Sequence, residues 1–97
     1  GMDRGASEWL ADRGAFAVGV DNMAWDVTGY VDEVLNCTLP GHVVLLVRRG
    51  VYIVENLFLD ELADAGVAEF LFACFPLKNV GGTASPVRPV AVVPRDA

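Results

Sequence analysis

The stretch His42-Val-Val-Leu-Leu-Val-Arg-Arg-Gly-Val-Tyr-Ile-Val-Glu55 decides how this chain is read. It carries the only histidine and joins two apolar runs, Val43–Val47 and Val51–Val54, through Arg48-Arg49-Gly50. A carboxylate, Glu55, stands where the second run stops. Two readings of its first half compete. Three valines in His42–Val47 favour a strand, which would pair with Val51–Val54 as a hairpin. The flanks favour a helix: Thr38 as the cap, Pro40 in the first turn, Gly50 as the terminator. As a helix, the stretch puts His42 in the first turn, where the helix dipole disfavours the protonated ring. A neutral imidazole is the form that ligates a metal.

Outward from this stretch the chain reads as a small mixed α/β layer. Ala6–Arg13 is expected to be a short helix with Ala6, Trp9, Leu10 and Arg13 on one face and Gly14 as its stop. Ala15–Val20 is expected to be a buried strand. Asp21 and Asn22 follow it directly, as pocket residues at a strand exit or as plain turn formers. Met23–Leu39 is irregular, with one helical turn at Tyr30–Leu35. Asp60–Ala65 is a short helix with acidic residues in its first turn. Val67–Phe75, apolar except for Glu69, is expected to be an interior strand covered on both sides. Pro76–Pro86 is a loop, and Val87–Val93 a last strand that Pro89 places at an edge or bulge.

The totals set limits. Ninety-seven residues make a single domain. A chain of this size buries only somewhat over ~60% of its unfolded surface. Yet 54% of its residues are hydrophobic and the mean hydropathy is +0.42. Another copy, or another chain, is therefore expected to cover part of the apolar surface. The net charge of −6, with no basic run longer than Arg48-Arg49, argues against a nucleic-acid partner. Cys37 and Cys74 lie far apart and fit buried thiols in a reducing compartment. Neither a leader nor an apolar run of membrane-spanning length is visible, so the chain is expected to be cytoplasmic. Gly1 before Met2 reads as a tag-cleavage scar.

Each candidate for chemistry has a bland counterpart. His42 with Glu55 suits zinc or manganese, but a site needs about four protein ligands, or three plus water. A lone His and Glu are also an ordinary surface or capping pair. Gly81-Gly82-Thr83-Ala84-Ser85 looks like a phosphate loop, but Pro86 and a strand follow where a helix should open, so a turn is expected. Cys74 has no basic neighbour to activate it and reads as core. Trp9, Trp25, Phe70 and Phe72 read as core or interface. No nucleophile elbow is present, and no catalytic residue is assigned.

Several blocks in order carry a resemblance: WLADRG, AVGVDN, H-x-x-LL-x-x-x-GVYIVENLFLDELA, EFLF-x-x-x-PLK and GGTASPVRPVAV. From about Trp9 to Val93 they resemble the C-terminal part of the cyclase family of metal-dependent hydrolases, whose best-known member is kynurenine formamidase (arylformamidase). The resemblance implies the C-terminal half of a swivelling β/β/α domain, so the chain would be a single partial domain over residues 1–97. It implies that His42 and Glu55 are the second-half ligands of a divalent metal, and it supports the helical reading of His42–Arg49. It places Asp21 and Asn22 near the substrate pocket. It implies water attack on a small amide, formamide or ester. The family's first-half motif, His-x-Gly-Thr-His-x-Asp, is absent, as is a further acid/base histidine. The resemblance therefore implies a fragment inactive alone, completed by a complementary first-half polypeptide or by another copy. The alternative is a non-catalytic, self-associating domain derived from the family.

Overall fold

The computed structural model describes residues 1–95. The elements run α1 (Arg4–Asp12), β1 (Ala17–Gly19), α2 (Pro40–His42), a π-helix (Val43–Arg48), β2 (Tyr52–Val54), α3 (Asp60–Ala65), β3 (Leu71–Pro76) and β4 (Val87–Val92). This is the expected α/β class with short helices. The strands form two two-stranded sheets, however: β1 and β2 pair in parallel, and β3 and β4 antiparallel. The chain divides into two compact units, residues 1–57 and the segment from Phe58 onward. Among the described residues no helix is long and apolar enough to cross a membrane.

The first unit is built on the helical stretch Pro40–Arg48. Its helical reading holds, and the hairpin is ruled out because β2 pairs with β1 instead. Val44 and Leu45 point inward, and Leu45 is wholly buried. They pack with Ala11, Val18, Val20, Trp25 and Val51 in one apolar cluster. The helix ends because Gly50 takes a φ of +65°, which side-chain-bearing residues rarely adopt. The chain then turns directly into β2. The π-helical turn, with its wider i→i+5 repeat, separates the two ends of this helix.

Three local expectations are corrected here. α1 starts at Arg4, not Ala6, because the Asp3 side chain caps it by accepting from the Ala6 amide at 2.8 Å. Its buried residues are Ser7 and Ala11, while Trp9 is 54% exposed and stacks under the Arg13 guanidinium. Small residues face inward because α1 lies close against the π-helix. β1 is not buried on both faces: Val18 and Val20 are buried, but Phe16, Ala17 and Gly19 are exposed. Tyr30–Leu35 is a turn rather than a helical turn. The Asp32 carboxylate accepts from the Leu35 amide at 2.8 Å, and the Asp32 amide donates to the Cys37 carbonyl at 2.8 Å.

In the second unit α3 has the expected span, Asp60–Ala65. The hairpin pairs Leu71 with Val92 through Pro76 with Val87. No residue of β3 or β4 is buried, so the expected interior strand is corrected: it starts at Leu71 and nothing within the second unit covers it. Phe72 is 46% exposed and Cys74 half-buried, not core. Between the strands, Ser85 Oγ accepts from the Leu77 amide at 2.8 Å and donates to the Pro86 carbonyl at 2.7 Å. The GGTAS segment is thus a turn leading into a strand, as expected.

Two consequences are measurable by urea unfolding followed by circular dichroism. Leu45→Ala leaves a cavity at a fully buried site and is expected to cost about 2–5 kcal/mol. The Leu35 amide, and then the Arg4 guanidinium, hold the Asp32 carboxyl below its ordinary value against an opposing effect of burial. A depressed folded value stabilises above the unfolded pKa, and that stabilisation disappears as pH falls through the folded value. Asp32→Asn is therefore expected to be less stable than the wild type at neutral pH, with the gap closing in acid below about pH 4.

Candidate metal half-site

The start of the helical stretch is unusual. Thr38 does not cap it; the N-cap is Leu39, which offers no side-chain acceptor. Pro40 has no amide hydrogen to satisfy. The next two amides converge on one carboxylate from elsewhere in the chain, Asp26. Gly41 N–H donates to Asp26 Oδ1 at 2.6 Å, and His42 N–H donates to Oδ2 at 3.0 Å. Asp26 is 1% exposed, so its charge is held by these amides and by the positive end of the helix. Its Oδ2 also contacts His42 Nδ1 at 2.6 Å. The other ring nitrogen, Nε2, faces Glu55 Oε2 at 3.8 Å.

Glu55 is positioned by the residue beside Asp26. Trp25 N–H donates to Glu55 Oε2 at 2.7 Å. The Trp25 ring is buried and its Nε1–H donates to Ser7 Oγ at 3.0 Å, whose hydroxyl donates to the Asp3 carbonyl at 2.9 Å. Met2 brackets the same dipeptide: its amide donates to the Trp25 carbonyl at 2.6 Å, and its carbonyl accepts from Val27 at 3.2 Å. One anchored dipeptide, Trp25-Asp26, therefore holds both His42 and Glu55. Every buried side-chain nitrogen and oxygen among the described residues has a partner.

The structure brings His42 and Glu55 together, as the sequence suggests. It leaves Asp21 and Asn22 exposed, with no side-chain hydrogen bond among the described residues. Only backbone ties this segment to the site: the Asn22 carbonyl accepts from the Asn56 amide at 2.9 Å. Asp26, Ser7 and Gly41 were not singled out in the sequence, and Trp25 was read only as core or interface, which its burial bears out. The available signal was Leu39-Pro40-Gly41, a helix start with no capping side chain of its own next to it.

His42 and Glu55 suit a metal as half of a ligand set. At 3.8 Å the pair is too far apart for a hydrogen bond. Two donors sharing one zinc at about 2.1 Å each lie roughly 3.4 Å apart in tetrahedral geometry, close to what is seen. Imidazole and carboxylate together fit zinc or manganese. No group of three or more potential metal-ligating side chains occurs among the described residues.

Gly41 is where this arrangement admits no side chain. A Cβ there would lie 2.7 Å from Asp26 Oδ1, 2.7 Å from Trp25 Cδ1 and 2.8 Å from Ser7 Oγ. Gly41→Ala is expected to displace the Asp26 carboxylate and lower stability by about 1–3 kcal/mol in urea melts. Gly5→Ala, where a Cβ would meet nothing closer than Asp3 Oδ1 at 3.6 Å, serves as the control.

No family model matches the chain, and no solved structure matches it. Curated relatives do. A kynurenine formamidase of Bordetella petrii is 36% identical over 83 residues, which is 86% of this chain and 35% of that protein. A kynurenine formamidase of Delftia acidovorans is 39% identical over the same shares. Cyclase-like protein 2 of Arabidopsis thaliana is 33% identical over 95 residues, 95% of this chain and 30% of that protein. The resemblance carried by the sequence blocks is thus borne out. The chain is a relative of the kynurenine formamidases and cyclase-like proteins, and it spans about a third of their length.

Proposed function

We propose that this chain contributes the second half of a metal-dependent hydrolase site, with His42 Nε2 and Glu55 as its ligands to a zinc or manganese ion. The carrying observation is the geometry of the pair: Nε2 faces Glu55 Oε2 at 3.8 Å while Asp26 holds the other side of the ring at 2.6 Å. The relatives named kynurenine formamidase support a small amide, formamide or ester as the substrate class. A bound metal would lower the pKa of a water and polarise the scissile carbonyl. This chain's part is to present two donors from a rigid dipeptide clamp. The remaining ligands come from a complementary first-half polypeptide or a second copy, and the chain alone is inactive. The free cysteines Cys37 and Cys74 agree with a reducing, cytoplasmic setting.

A second reading keeps the fold and drops the chemistry: a non-catalytic domain that self-associates. The observation behind it is the β3–β4 hairpin. Leu71, Phe75, Val90 and Val92 are exposed on one face and Phe72 and Val87 on the other. A two-stranded sheet of this kind is marginal until something packs against it.

Calorimetric titration with Zn²⁺ or Mn²⁺, with molar mass measured in parallel, separates the readings. The expected outcome is saturable binding that falls at least tenfold in His42→Ala and in Glu55→Gln, with no formamidase activity from the chain alone. Binding unchanged by both substitutions, or absent at millimolar metal, overturns the half-site. A metal-free dimer unaffected by either change supports self-association.

A further inference from the structure

We infer that Asp26 is the positioning residue of this site: it fixes the tautomer of His42, so that the proton sits on Nδ1 and the lone pair on Nε2. The inference rests on the reading of His42 as a donor through Nε2, but its test does not depend on metal. Three observations carry it. Asp26 is buried to within 1% of full enclosure, and its carboxylate accepts from two helix amides, Gly41 and His42, which set its orientation. Both of its oxygens already accept from backbone amides, so it meets the ring nitrogen at 2.6 Å as an acceptor and the proton between them is assigned to Nδ1. Among the described residues Nε2 makes no hydrogen bond: Glu55 Oε2 stands at 3.8 Å and is occupied by Trp25 N–H at 2.7 Å.

Free imidazole side chains favour the opposite tautomer, with the proton on Nε2. The Asp26 contact therefore reverses an intrinsic preference, as carboxylates behind metal-bound histidines commonly do. The arrangement has a second property. The same carboxylate that orients the ring caps the helix on which the ring is carried. Ring and backbone of His42 are thus referred to one fixed point, and the imidazole plane cannot swing independently of the helix start. Gly41 makes this possible by leaving room for the carboxylate.

The test uses the full chain labelled with ¹⁵N-histidine, in which the single histidine gives one ring and one assignment. At a pH where the ring is neutral and without metal, Nε2 is expected to resonate as a pyridine-type nitrogen and Nδ1 as a pyrrole-type one. The reverse pattern in the wild type overturns the proposal without any variant. In Asp26→Asn, judged folded by its dispersed amide spectrum, the population is expected to shift at least fivefold toward the Nε2–H form. Retention of the wild-type pattern overturns Asp26 as its cause. Glu55→Gln is expected to leave the tautomer in place, since Glu55 does not contact Nδ1. A loss there as large as in Asp26→Asn also overturns the assignment to Asp26. Zn²⁺ added to the wild type separates the two claims: the expected tautomer with no metal-induced shift at Nε2 leaves Asp26's role standing and removes the half-site.

Discussion

A single buried carboxylate organises the first unit. Asp26 comes from an irregular segment, yet it closes the helix start at Gly41 and His42 and grips the imidazole of His42. Burying a charge is tolerable only when its lone pairs are filled, and here three donors fill them. The consequence for the segment between β1 and α2 is direct. It has little regular structure, but it cannot wander, because its Trp25-Asp26 dipeptide is bound on both sides. Hydrogen bonds from Met2 and to Ser7 and Glu55 complete the hold. Most of the site's rigidity comes from this loop, with the helices and strands supplying its attachment points.

How much of this could be read in the sequence follows from which forces are local. Gly50, Pro40 and the acidic start of Asp60–Ala65 act on their own neighbours, and the elements they bound were legible. The parallel pairing of β1 with β2 was not, since a valine-rich run next to Arg48-Arg49-Gly50 fits a hairpin equally well by composition. His42 and Glu55 stood out by residue type and family resemblance. Asp26 did not, because it acts 15 and 16 residues away in sequence, where periodicity carries no information. Trp9, read as core or interface, is not core for a related reason: the close helix contact required the small side chains of Ser7 and Ala11 there.

The second unit shows the limit of patterning as a guide to burial. The run from Val67 to Phe75 has the composition of a strand covered on both faces, and β3 with β4 does form. Within the second unit, both faces of that hairpin are nevertheless open. Composition records what a segment needs to be covered by, and only a partner layer decides whether the need is met. The Bordetella and Delftia relatives are more than twice as long as this chain, which matches about a third of each.

The π-helical turn between His42 and Gly50 has a bearing on how this segment tolerates length changes. A π-turn holds one residue more than the α-turn it replaces. Removing one residue from Val43–Arg48 would let the backbone relax into the commoner α repeat without opening the hydrogen-bond ladder. The cost would appear in phase instead. Leu45, seated in the core, and His42, seated on Asp26, would be rotated relative to each other, and both could not keep their places. The extra residue thus works as a vernier between core and site.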